Sequence, residues 1–305
     1  MRAALTTSSF AAYSDEPLKM LKEQGIEYIT NPHGRKLKPE ETVELVSGCD
    51  GMIAGTEDLS AAVLKRLPGL KAISRLGAGM DNVDVNYCRE HGIAVRNTPY
   101  GPTLAVAELT LGLIIDLLRN VTRMDRELRA GTWKKRMGRQ LKGKRVGVVG
   151  MGRIGRATAG CLEAQGCEIA YADPVAQCAE YRCMDMDALL AWADIITMHC
   201  SLSKDQCPVI GKHELSLMQE GSWLVNAGRG GLVDEDALYD ALSSGRLNGA
   251  AVDCFENEPY KGRLTKLENV ILTPHIGSYA MEGRIDMEID AVKNLIEALN
   301  PGGGG

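Results

Sequence analysis

No stretch of this sequence is both long and apolar enough to cross a bilayer. The greasiest run, Leu104 to Leu118, is too short and carries Glu108 and Asp116. The start makes a poor secretory signal, because Thr6-Thr7-Ser8-Ser9 interrupts any apolar segment there, so none is expected. Positive charge is scarce: the formal net charge is −5, and no long basic stripe offers a surface to nucleic acid. The cluster Lys134-Lys135-Arg136 with Arg139, Lys142, Lys144 and Arg145 is local and reads as a solvated loop. Nine cysteines are present, but none falls in a Cys-x-x-Cys pair or another zinc spacing, so no metal is expected. Scattered free thiols fit a reducing, cytoplasmic setting. No long repeat of the solenoid kind is visible. Histidine is rare, with five in the chain, which narrows the search for acid–base chemistry.

What is present is alternation. A chain of 305 residues with 45% hydrophobic content can fill two cores. Short apolar runs at Ala3–Thr6, Glu27–Thr30, Gly51–Ala54, Leu70–Ser74 and Ile93–Val95 predict strands, with helices between them at, for example, Ser60–Leu67 and Asp84–Glu90. A second series follows at Val146–Val149, Glu168–Tyr171, Ile195–Met198, Trp223–Asn226, Ala250–Val252 and Val270–Leu272. Such alternation implies doubly wound parallel sheets of the α/β class. Asn97-Thr98-Pro99-Tyr100-Gly101-Pro102 and Thr273-Pro274-His275-Ile276-Gly277 read as hinges. One helix is expected from about Thr103 to Arg129 and another over Met281–Leu299, before a flexible tail from Pro301 to Gly305.

The most specific signal follows Val146-Gly147-Val148-Val149. The apolar run feeds into Gly150-x-Gly152-x-x-Gly155, and a helical pattern succeeds it. Gly150 permits a tight turn, Gly152 lets a pyrophosphate approach the backbone, and Gly155 lets the helix pack on the strand. Arg153 and Ile154, at the helix start, join this phosphate cradle. About 20 residues on, after Glu168–Ala172, stands Asp173, where a carboxylate can bond the adenosine ribose. It would repel a 2′-phosphate, and Pro174-Val175-Ala176 offers no base to receive one, so NAD is expected rather than NADP.

Three strand-end segments carry further chemistry. His275 follows a strand and a proline, in the kind of loop where α/β sheets place ligands. Arg229 sits among glycines in Asn226-Ala227-Gly228-Arg229-Gly230-Gly231, and its fork matches a carboxylate, although it could also anchor the loop. Asp253-Cys254-Phe255-Glu256-Asn257-Glu258-Pro259 could supply a carboxylate to orient an imidazole.

Together these pieces resemble the D-isomer-specific 2-hydroxyacid dehydrogenase family over nearly the whole chain. The resemblance includes Ser74-Arg75-Leu76-Gly77-Ala78-Gly79-Met80-Asp81-Asn82-Val83-Asp84, Asn97-Thr98-Pro99 and Ala105-Val106-Ala107-Glu108-Leu109, besides the motifs above. It implies that Arg229 clamps the substrate carboxylate and polarises its 2-carbonyl, that His275 moves the proton and that Glu258 partners His275. Ala227, Gly228, Arg229 and Asp253 would frame the nicotinamide, with Cys200 and Gly277 also on the cofactor groove. Arg75 and the amides of Leu76, Gly77, Ala78 and Gly79 would bind substrate. It further implies a cofactor domain at about 100–276 inserted into a substrate domain of 1–99 and 277–305, with the site in the cleft, and no C-terminal regulatory domain. The expected reaction interconverts a small D-2-hydroxy acid and its keto acid. The flavour is nearest the 3-phosphoglycerate dehydrogenase branch, with glyoxylate or hydroxypyruvate reduction an open alternative. Ile53-Ala54-Gly55-Thr56-Glu57 lacks the arginine that branch places after the third strand, and Ser201 stands where a proline is usual. Corepressors in the same family make an NAD-sensing binding protein the rival of another class. A homodimer through the 104–118 helix is expected, because one domain would cover only one side of so apolar a helix.

Overall fold

The computed structural model describes residues 1–202 and 207–300. The tail from 301, expected to be flexible, lies outside the described residues. In order, the elements are β1 (Arg2–Leu5), α1 (Glu16–Glu23), β2 (Glu27–Thr30), α2 (Pro39–Val46), β3 (Gly51–Ala54), α3 (Ala61–Leu64), β4 (Ala72–Arg75), α4 (Val85–Glu90), β5 (Ala94–Asn97), α5 (Pro102–Arg119) and α6 (Val121–Arg129). Then come β6 (Arg145–Val149), α7 (Arg153–Glu163), β7 (Glu168–Ala172), β8 (Arg182–Cys183), α8 (Met186–Trp192), β9 (Ile195–Met198), α9 (Lys212–Leu217), β10 (Ser222–Asn226), α10 (Glu235–Ser243), β11 (Leu247–Val252), β12 (Val270–Leu272) and α11 (Met281–Leu299). The chain divides into two compact units, Met1–Pro102 with Ser278–Gly305, and Thr103–Gly277.

The first unit holds a five-stranded parallel sheet in the order β2-β1-β3-β4-β5. Successive residues of its strands serve opposite faces. Ala4 and Met52 pack with Val63, Leu64 and Ile73, whereas Leu5 and Ile53 pack with Leu21, Val292 and Leu295. Burial on both sides is why these strands read as continuous apolar runs. Gly51 makes room for α11, since a Cβ there would lie 2.7 Å from Leu295 Cδ1.

The second unit holds a seven-stranded parallel sheet, β12-β11-β10-β9-β6-β7-β8. Strand order reverses between β6 and β9, and crevices at such points receive ligands in doubly wound folds. Leu224 and Ile196 fill one face of this sheet, and Val225 and Ile195 the other.

Two expectations need correction. The helix expected over Thr103–Arg129 breaks at Asn120, which adopts φ 55°. Asparagine tolerates this left-handed conformation, and Asp116 accepts from Thr122 N–H at 2.8 Å to start α6. The apolar half of that helix is also better covered by its own chain than expected. Ala105, Val106, Ala107, Leu113, Ile114 and Leu118 are buried, and the exposed stripe of Leu104, Glu108, Gly112, Ile115 and Arg119 is mixed. Among the described residues, no helix is long and apolar enough to cross a membrane.

Candidate active site

At the carboxyl end of β6 the three glycines do different jobs. Gly150 has φ 95°, and a Cβ on it would lie 2.5 Å from Cys200 N. Gly155 has no room either: its Cβ would meet Gly150 O at 2.0 Å, so α7 starts directly against the turn. Gly152 has an ordinary φ of −73° as the N-cap of α7, and a Cβ there would meet nothing within 4 Å. Neither backbone nor packing demands glycine at 152. The open space beside it, next to first-turn amides that have no acceptor within the helix, fits a pyrophosphate. Arg153, Ile154 and Gly155 form that first turn. Gly152→Ala should therefore leave Tm nearly unchanged while weakening NADH binding by about tenfold or more, whereas Gly155→Ala should lower Tm. Thermal melts and NADH titrations of both variants check this, and a Gly152→Ala protein that binds NADH normally would contradict it.

Asp173 stands beyond the end of β7. Its Oδ2 accepts from Met151 N–H at 2.7 Å, and Oδ1 accepts from Val175 N–H at 2.8 Å and Ala176 N–H at 2.7 Å. Partial burial works to raise its pKa, but the three amides and nearby Arg156 outweigh it and hold the carboxyl below its ordinary value. The charge is thus fixed beside the glycine turn, where the sequence places the ribose contact.

At the switch point, His199 N–H donates to Val149 O at 2.7 Å, which seats the end of β9 against the turn. The His199 imidazole was not singled out in the sequence. It hydrogen-bonds Thr197 Oγ1 through Nε2 at 2.9 Å, its Nδ1 is buried without a partner, and burial lowers its pKa to about 4. It is therefore neutral and not a proton carrier near neutral pH. Burial pushes the half-buried Cys200 thiol up to about 11, so it acts as packing in the groove wall.

The ends of β10, β11 and β12 bring the remaining groups together. A Cβ on Gly230 would lie 1.8 Å from Phe255 O, so the Arg229 loop presses directly on the loop after β11. Gly228 O accepts from Arg229 Nη1 at 2.8 Å and from Cys254 Sγ at 3.5 Å. Ala227 is buried behind it. Asn226 Nδ2 donates to Arg229 O at 2.9 Å, fixing the loop backbone.

His275 lies on the adjoining loop with φ 53°, a conformation rare outside glycine and asparagine. Asp253 holds it there. This fully buried carboxylate accepts from Thr273 Oγ1 at 2.6 Å, Ile276 N–H at 2.8 Å and Gly277 N–H at 2.8 Å. Asp253 and Gly277 thus also clamp the histidine loop. A Cβ on Gly277 would sit 3.2 Å from Asp253 Oδ2, which explains the glycine by packing. The pattern of an acid at a strand end was visible in the sequence, but the partner 20 residues later was not.

His275 Nδ1 donates to both Glu258 oxygens at 3.0 Å, and Phe255 N–H holds Glu258 Oε1 at 3.1 Å. The Cys254 thiol first, then the Glu258 carboxylate, raise the imidazole pKa to about 10 against the opposing effect of burial. The side chains are partly exposed, at 41% for His275 and 39% for Glu258, as a group that must meet a substrate requires.

The expected substrate loop follows β4 in the first unit. Leu76 N–H is spent on Ala54 O at 2.8 Å, and Gly77 N–H on Thr98 Oγ1 at 2.7 Å. The amides expected to meet a carboxylate therefore narrow to Ala78 and Gly79. Ala78 O accepts from Asn97 Nδ2 at 2.7 Å. Gly77 adopts φ 128° under the Arg75 guanidinium, where a Cβ would lie 1.6 Å from Nη1.

Comparison with known proteins gives a consistent result. The family described as "D-isomer specific 2-hydroxyacid dehydrogenase, NAD binding domain" matches residues 111–277. The chain is 39% identical over 260 residues to a glyoxylate reductase of Thermofilum pendens, covering 80% of this chain and 76% of that protein. It is 33% identical over 293 residues to a D-3-phosphoglycerate dehydrogenase of Archaeoglobus fulgidus, covering 93% of this chain but 55% of that one, so it spans about half the length of such relatives. A crystal structure of a Thermus thermophilus protein superposes with a TM-score of 0.92 at 35% identity, covering 99% of this chain and 97% of the other.

Proposed function

Because the chain belongs to the D-isomer-specific 2-hydroxyacid dehydrogenase family, we propose that it is an NAD-dependent oxidoreductase interconverting a small D-2-hydroxy acid and its 2-keto acid. The observation that carries this reading is the Glu258–His275 pair, joined at 3.0 Å at the same carboxyl edge of one sheet as the glycine turn. NAD, when bound, exchanges a hydride with the substrate's C2. The residues Gly150, Gly152 and Gly155 with the first turn of α7 would hold its pyrophosphate, and Asp173 its ribose. Arg229 binds the substrate carboxylate and stabilises negative charge growing on the carbonyl oxygen. His275 Nε2 donates the proton to that oxygen in reduction and removes it in oxidation, while Glu258 holds Nδ1.

The raised pKa loads the proton donor across the neutral range. Keto-acid reduction needs protonated His275, so kcat/KM should hold below, and fall through, the imidazole's pKa of about 10. Glu258→Gln removes one of the two groups that raise it. The falling limb should then move to lower pH by roughly one or more units, and pH–rate profiles of both proteins read the shift. An unmoved limb would contradict the pairing.

The segment Ile53–Glu57 contains no cationic residue. Glu57 is buried and accepts from Gly55 N–H at 3.0 and 3.1 Å. This favours unphosphorylated acids such as glyoxylate and hydroxypyruvate over a phosphorylated one. Initial rates of NADH oxidation with glyoxylate, hydroxypyruvate and 3-phosphohydroxypyruvate test both levels. Ranking by kcat/KM identifies the substrate, and no turnover with any of them overturns the reading.

The nine free cysteines support a reducing, cytoplasmic setting. A homodimer is supported by apolar side chains of the second unit left in water: Trp133 at 81%, Met137 at 97%, and Val121, Leu128, Leu104 and Ile115. A two-fold interface would bury such side chains against their copies. Light scattering at micromolar concentration should give about twice the 33.0 kDa of one chain. A mass near 33.0 kDa would exclude the dimer.

A further inference from the structure

The segment between Asp173 and β8 carries two thiols for which the proposed reaction has no use. Cys178 is buried and packs with Val148, Met151, Ala159 and Tyr171 beneath the glycine turn. Cys183 is exposed on β8. Tyr171 links them. It pairs directly with Cys183 across the β7–β8 ladder, so the two side chains leave the same face of the sheet. The Tyr171 hydroxyl accepts from Cys178 N–H at 2.9 Å and donates to Cys178 O at 3.5 Å. Both cysteines thus flank Tyr171, Cys183 as its partner in the ladder and Cys178 at its hydroxyl. The geometry is also easy to deform, because β8 is an edge strand of two residues held by two register pairs.

The same loop orients Asp173. The amides of Val175 and Ala176, three and two residues before Cys178, donate to Asp173 Oδ1. Drawing Cys178 toward β8 displaces them and, with them, the carboxylate assigned to the adenosine ribose. We infer that Cys178 and Cys183 form a reversible disulfide under peroxide, which unseats the Asp173 loop and lowers affinity for the dinucleotide. The inference rests on the cofactor reading of that loop.

The chemistry balances with hydrogen peroxide as oxidant. The exposed Cys183 sulfur, as thiolate, attacks a peroxide oxygen. The O–O bond breaks, and a sulfenic acid and one water result once the leaving hydroxide takes up the thiol's proton. Cys178 then attacks the sulfenic sulfur, the S–S bond forms, the S–O bond breaks, and a second water leaves. Two thiols are oxidised by two electrons, and the peroxide is reduced to two waters. Glu180 is placed to take the resolving proton, since Cys178 Sγ donates to its Oε2 at 3.0 Å. Burial first, then this contact, raises the Cys178 pKa, which keeps it a thiol until that step. A dithiol reductant reverses the bond.

The test uses the full-length protein in reduced, peroxide-treated and re-reduced forms. Non-reducing peptide mapping after thiol blocking reads the linkage, and cleavage after Arg182 separates the two cysteines unless they are bonded. NADH titration by fluorescence reads affinity. The expected result is a Cys178–Cys183 cross-link, an NADH Kd raised about tenfold as the competent loop becomes a minor state, and recovery on reduction. Cys183→Ser should bind NADH as the reduced protein does and ignore peroxide. Absence of the cross-link, an unchanged Kd in the cross-linked protein, or equal peroxide sensitivity of Cys183→Ser overturns the inference. Failure of the reduced wild-type protein to bind NADH overturns the cofactor reading instead, and the peptide map then decides the disulfide by itself.

Discussion

Replacing His275 by alanine should lower kcat for keto-acid reduction by about 10²–10⁴-fold, the range lost when a positioned acid–base group is removed. The imidazole is held on three counts. Glu258 fixes Nδ1 with both oxygens at 3.0 Å, Asp253 clamps the loop with three hydrogen bonds, and the backbone is confined to φ 53°. No other histidine near the site can substitute, because His199 is buried and its pKa is lowered to about 4. NADH binding should be little affected, since the glycine turn and Asp173 lie on other loops. The measurement is steady-state kinetics beside NADH titration. Near-normal kcat in His275→Ala would remove it from the reaction.

Arg229→Ala should cost about 10³-fold in kcat/KM, divided between both constants, because one group serves ground state and transition state. On the proposed reading, losing its contact with the substrate carboxylate raises KM, and losing its stabilisation of the developing oxyanion lowers kcat. Arg229→Lys separates charge from geometry. A lysine keeps the charge but not the fork, so it should recover only part of the loss. The loop itself should survive the substitution, since Gly228 and Gly230 set its course by close approach to Met198 O and Phe255 O. A variant with unchanged KM and kcat would show that Arg229 only anchors the loop, the alternative its sequence context leaves open.

Much of this was legible in the chain because parallel strands buried on both faces are written as apolar runs. Gly51–Ala54, Ile195–Met198 and Val270–Leu272 occur as read. The glycine turn was legible because its backbone geometry admits few residues. What escaped depends on contacts distant in sequence or on single residues. The break at Asn120 needed the cap from Asp116. β8 is two residues long, too short for any periodicity, and exists only because β7 offers an edge. Asp253 reads as a groove residue from its neighbours, yet its partners lie 20, 23 and 24 positions on. The amides of Leu76 and Gly77 look available in sequence and are spent on Ala54 and Thr98 in the fold. The cover over α5 likewise depends on tertiary packing, which a helical pattern does not report.

The most direct measurement of hydride transfer at this site is product analysis. The protein is incubated with NADH and hydroxypyruvate, NADH loss is followed by absorbance, and the acid formed is resolved by chiral chromatography. One D-2-hydroxy acid should appear for each NADH consumed, and the His275→Ala protein should bind NADH while consuming it at a small fraction of that rate. NADH binding without consumption, or formation of the L enantiomer, would contradict it.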